Sequence, residues 1–154
     1  SVTGTEPSEG FLNMARGRIH DKRAVFKSGD ATSIPLKDAE ADVLVAGLVL
    51  NFVPDKQRAL QEMRRVLQPG GTGACYVWDN SGEMQLMRYF WNAVTELFPD
   101  GADHDEGKQF PICNPGPLED LFRDARLQAV EVRTLDAPTV IVDFDDYWSP
   151  QLNG

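Results

Sequence analysis

Asp42-Val43-Leu44-Val45-Ala46-Gly47-Leu48-Val49-Leu50 is apolar almost throughout after its opening acid. An uninterrupted run of this length reads as a strand of a parallel sheet, buried on both faces. Pro54-Asp55 then opens a helix, with Ala59, Leu60, Met63, Val66 and Leu67 at helical spacing. Leu67-Gln68-Pro69-Gly70-Gly71 stops that helix by proline exclusion and a permissive left-handed glycine. Residues 72–78 form the next strand.

Working upstream, residues 24–27 read as a strand, joined to the apolar run by a polar link, 31–41, that contains Pro35. Residues 2–5 read as a shorter strand. Between them Ser8 offers a helix N-cap, and Phe11, Leu12, Met14 and Ala15 supply an apolar stripe up to Gly17. Strands and helices alternating at these spacings call for right-handed crossovers and a parallel sheet. Downstream, Met84, Met87, Phe90, Trp91, Val94, Leu97 and Phe98 lie three or four apart, which predicts an amphipathic helix. A loop over 99–117 follows, then a helix marked by Leu118, Leu121, Phe122 and Ala125. Residues 129–134 and 139–142 read as two late strands, an antiparallel edge pair. The whole of 1–154 is expected to be one domain, with 80–116 a lid-like insertion over the strand ends.

The chain has 154 residues, 42% hydrophobic and 25% charged, and a formal net charge of −9. An acidic surface repels phosphate backbones, so a nucleic-acid partner is not expected. Arg58, Arg64 and Arg65 read as the solvated face of their helix. No apolar run reaches the 18 or so residues of a membrane span, so no membrane partner is expected and the cytoplasm is the default location. Cys75 and Cys113 are far apart without CxxC spacing and read as reduced, structural thiols. The run Asp100, Asp103, His104, Asp105, Glu106 lacks the alternating pattern of a calcium loop, and no metal is expected.

Glu6 and Asp30 stand where the first two strands run out. In open α/β sheets, ligands bind beyond the carboxyl ends of the strands. Carboxylates at two neighbouring strand ends suit the hydroxyls and amine of a nucleoside. Glu6-Pro7-Ser8, Gly29-Asp30-Ala31, the run 42–53 with Pro54-Asp55, and Leu67-Gln68-Pro69-Gly70-Gly71, taken in this order, resemble the class I S-adenosylmethionine-dependent methyltransferases, in particular the small-molecule enzymes of quinone biosynthesis. The fold implied is a Rossmann-like, mostly parallel sheet with helices on both faces.

The resemblance implies S-adenosylmethionine as cofactor, with S-adenosylhomocysteine as product. It places Glu6 on the ribose hydroxyls and Asp30 toward the adenine amine. Pro7 and Ala31 would wall the adenine, and Ala46 and Gly47 would meet the methionine end through their backbone. Asn51 and Asp79 face the acceptor side of the crevice, where loop capping is an equal reading. Tyr89 and Trp91 could line an acceptor pocket or simply belong to the core. The family has no universal catalytic residue, so none is assigned.

Two departures shape the expectations. The family's first strand and its glycine-rich loop are not read in this sequence, so the chain is expected to start at the family's second strand and to bind cofactor weakly or not at all. The absent strand would lie between those ending at Glu6 and Leu50, so either these two pair directly or a homodimer fills the gap. Also, Ala125-Arg126-Leu127 stands where the family has Ala-Gly-Phe, which removes an easy left-handed helix stop. Methyl transfer to a small molecule, impaired in this form, is the leading reading. A non-catalytic α/β binding or assembly module is the alternative, and a nicotinamide-binding domain the third.

Overall fold

A computed structural model describes residues 1–152, so the last two positions of the expected domain lie outside the described residues. Strand β1, Val2–Glu6, leads into helix α1, Glu9–Arg18, and strand β2, Ala24–Ser28. Ser8 caps α1, its hydroxyl accepting from the Phe11 amide. β1 and β2 are parallel neighbours, Val2 opposite Ala24 and Glu6 opposite Ser28. Strand β3, Ala41–Gly47, is followed by a three-ten turn at Leu50–Phe52, helix α2, Lys56–Val66, and strand β4, Leu67–Tyr76. β3 and β4 are also parallel, Val43 opposite Thr72 and Gly47 opposite Tyr76. Between Leu67 and Thr72 the ladder is interrupted, and Gly70 takes the left-handed conformation there at φ 81°.

The core is where the amphipathic pattern of α2 places it. Ala59, Leu60 and Met63 pack with Leu50, Val53 and Leu67, and with Leu118, Phe122 and Ala125 from helix α5, Pro115–Asp124. Each large side chain fully buried in this way contributes about 1.5–3 kcal/mol. Helix α3, Gln85–Leu97, follows the expected bounds closely. The expected loop 99–117 is instead a chain of short turns, three-ten at Pro99–His104 and Pro111–Cys113 with helix α4, Glu106–Gln109, between them. A last helix, α6, spans Phe144–Trp148 and is tied to α3 by the Tyr147 hydroxyl, which donates to the Leu86 carbonyl at 2.8 Å.

Three expectations are corrected. The first concerns the late antiparallel pair: residues 129–134 and 139–142 form no strand. Val130 and Val132 do pack on the core, but an open trough of about 2300 Å³ lies between this segment and β4, so no ladder forms. Secondly, the apolar run is a strand only to Gly47, because Leu48 turns to φ 54°. Nor is it buried on both faces: α2 covers one, while Val43 and Val45 are each 61% exposed on the other.

Thirdly, of the two expected ways to fill the gap, direct pairing of β1 with β3 does not occur; among the described residues the strands form two separate two-stranded sheets. The link between β2 and β3 is pinned to α2 instead. Glu62 accepts from the Ile34 amide at 3.0 Å, and Arg65 donates to the Leu36 and Ile34 carbonyls and to Asp38. β3 is therefore placed by α2, not by β1.

Candidate functional site

The parallel pairing of β1 and β2 brings their carboxyl ends to one edge. Glu6, half-buried, spends Oε1 on the Ser8 amide at 2.9 Å, which fixes it at the start of α1. Asp30 is exposed, and its Oδ1 accepts from both the amide and the hydroxyl of Thr32, each at 2.6 Å. The Thr32 hydroxyl, then its amide, hold the Asp30 carboxyl below its ordinary range. The Ser33 amide adds a smaller pull on the Asp30 carboxyl, while Glu6 is held through one oxygen. Two carboxylates at one edge are the donor-accepting arrangement an adenosine needs, so these residues fit the cofactor that the resemblance implies.

Pro7 is exposed beside Glu6. Ala31 and Ala46, although far apart in sequence, line one small apolar cavity of about 40 Å³ with Leu44 and Val49. Gly47 has a reason of its own. The Tyr76 ring lies on it so closely that a Cβ there would overlap the Tyr76 hydroxyl oxygen. Tyr76 escaped the sequence reading because only the register of β3 with β4 sets it opposite Gly47.

At the ends of β3 and β4 the acceptor-side candidates separate. Asp79 caps its own turn, its two oxygens accepting from the amides of Gly82 and Glu83 at 2.9 Å. Tyr89 is 65% exposed, and Trp91, two residues on, lies on the other side of α3. Trp91 packs edge-on against Phe90, its indole nitrogen buried without a partner. Asn51 is 2% exposed, and neither atom of its amide has a partner. A buried polar group left unpaired costs about 1–3 kcal/mol.

Residues 80–116 sit against these strand ends. Phe110 meets Phe52 edge-on, with ring centroids 5.3 Å apart, and the Ser81 hydroxyl donates to Asn114 at 2.7 Å. Arg88 of α3 grips Asp105, which also caps α4 by accepting from the Gly107 amide. The Arg88 guanidinium holds the Asp105 carboxyl below its usual range. Among the described residues no helix is long and apolar enough to cross a membrane. Cys75 is a free thiol, pushed up to about 11 by burial.

Residues 1–75 match a family described as a methyltransferase domain. The demethylmenaquinone methyltransferase of Staphylococcus haemolyticus is 39% identical over 144 residues, 86% of this chain and 60% of that protein. Its counterpart in Lactococcus lactis is 34% identical over 145 residues, 84% and 57%. A SAM-dependent methyltransferase structure from Thermotoga maritima aligns with a TM-score of 0.59 at 28% identity, over 79% of this chain and 53% of that one. A methyltransferase in complex with a methyltransferase activator, from Haloferax volcanii, aligns at 0.62 and 22% identity over 84% and 51%, a likeness of fold. The chain spans about three-fifths of the curated relatives it matches.

Proposed function

We propose that the chain is a class I S-adenosylmethionine-dependent methyltransferase and that it methylates a small, quinone-like acceptor. The family implies S-adenosylmethionine as cofactor. The observation that carries the reading is the parallel pairing of β1 with β2, which sets Glu6 and Asp30 at one edge. Glu6 takes the ribose hydroxyls and Asp30 the adenine amine. Pro7 and Ala31 flank the adenine, and Ala46 and Gly47, with the Tyr76 ring, lie toward the methionine end. Held there by Glu6 and Asp30, the cofactor would supply an electrophilic methyl group on its sulfonium sulfur. What the chain contributes is alignment and exclusion of water. Residues 80–116 are the lid that shuts water out, and Asn51, Asp79, Tyr89 and Trp91 are the acceptor-side candidates of the crevice. The acceptor class follows the relatives, which are named for demethylmenaquinone.

Isothermal titration tests the cofactor site. S-adenosylhomocysteine should bind and NAD should not, and Glu6→Ala should weaken binding about tenfold by removing a charged hydrogen-bond acceptor. Binding of NAD in place of S-adenosylhomocysteine would refute the reading.

The two separate sheets favour a second reading, an assembly module whose unpaired edges join a second copy. Light scattering that reads a monomer at working concentration rules it out.

A further inference from the structure

Asp30 stands exposed just past β2, where a free carboxylate would turn among several rotamers. Thr32 removes that freedom. Asp30 Oδ1 accepts from it twice, once from the amide and once from the hydroxyl, each at 2.6 Å. The amide bond alone makes the turn, as aspartate side chains commonly do with the backbone two residues on. The hydroxyl bond is additional, and valine would have the same branched shape without it. Thr32 is itself held from behind. Its carbonyl accepts from Arg58 Nε at 3.3 Å, and Arg58 also donates to Glu62, which accepts from the Ile34 amide. The loop 30–34 is thereby fastened to α2 at two points.

We infer that Thr32 is a positioning residue for cofactor recognition: its hydroxyl orients the Asp30 carboxylate to accept from an adenine amine and to reject a purine with a carbonyl there. This rests on the methyltransferase reading and deepens it at the same site. The count of hydrogen bonds supports it. An ionised carboxylate offers about four lone-pair sites. Thr32 fills two of them and the Ser33 amide draws on a third, which leaves one direction for a donor from outside. The carboxyl is held below its ordinary range, first by the Thr32 hydroxyl, so at neutral pH it is ionised and only accepts. A hypoxanthine carbonyl set against it would bring two acceptors together with no proton between them. Orientation before binding matters because an exposed side chain that must be immobilised on binding costs affinity.

The test titrates the whole chain with S-adenosylhomocysteine and with S-inosylhomocysteine, which carries a carbonyl in place of the adenine amine. The native chain should favour the adenine form by about tenfold or more. In Thr32→Val that preference should shrink about fivefold, the worth of one hydrogen bond. Thr32→Ser, which keeps the hydroxyl, should retain it. A mere loss of packing would weaken both ligands together and leave their ratio unchanged. An undiminished ratio in Thr32→Val, or a ratio in Thr32→Ser no better than in Thr32→Val, overturns the proposal while the cofactor reading stands. If Thr32→Val fails to fold, Thr32→Ala set against Thr32→Ser decides by the same ratio. A native chain that binds both ligands alike removes Asp30 from the adenine and the proposal with it. One that binds neither refutes the cofactor reading itself, and this inference falls too.

Discussion

Gly47 and Tyr76 are opposed across β3 and β4, and the aromatic ring occupies the space a side chain at residue 47 would need. Gly47→Ala should therefore destabilise by about 1–3 kcal/mol, the penalty of overpacking, as read from urea unfolding. The φ of Gly47 is not positive, so alanine suits the backbone itself. In a Tyr76→Ala background the same change should be neutral, or stabilise by about 0.4–1 kcal/mol through the unfolded chain. Equal penalties in the two backgrounds would disprove the contact as the cause. Such pairings are invisible in a linear reading, because they depend on how two distant strands slide into register. Glu6 and Asp30 were legible as strand-end acids from their flanking residues alone. The missing partners of Asn51 were not, since burial of a single amide is a property of everything packed around it.

Helix α5 ends on a left-handed residue after all. Arg126 sits at φ 60°, its amide donating to the Arg123 carbonyl and that of Leu127 to the Phe122 carbonyl. This is the bonding pattern that glycine usually serves. Arg126→Gly should raise stability by about 0.5–1 kcal/mol, as relief of the left-handed strain outweighs the extra freedom of the unfolded chain; a fall in melting temperature would contradict it. The contrast with other elements explains what could be read beforehand. α1 and α2 carry their own punctuation in Ser8 and Asp55, whose side chains cap them, and in stripes that repeat every three or four residues. Residues 129–142 carry β-like alternation but no local device that closes a ladder, and tertiary context left them unpaired. The three-ten turns of the insertion and α6 are too short to leave a periodic signature.

At the scale of the molecule, two acid–arginine clusters join parts that are distant in sequence. Glu62, 4% exposed, ties the link at Ile34 to Arg65, and Asp105, at the start of α4, is tied to Arg88 of α3. Both carboxyls are held below their ordinary values of 4.5 and 3.8, chiefly by hydrogen bonds from Arg65 and Arg88 respectively. A carboxyl depressed in the folded state adds stability above its ordinary value, and that stability is lost as pH falls through the folded one. Unfolding free energy should thus drop steadily below about pH 4.5. Glu62→Gln should flatten that slope while lowering stability at neutral pH by about 1–3 kcal/mol; an unchanged acid limb would exclude Glu62 as its source. The pinned link between β2 and β3 has a kinetic consequence as well. Each parallel ladder closes over a single intervening helix, which keeps its contacts short-range and quick to form. The chain can therefore condense around two nuclei in parallel, and the slow event left is their docking, with Ile34 and Leu36 seated on α2 as the latch.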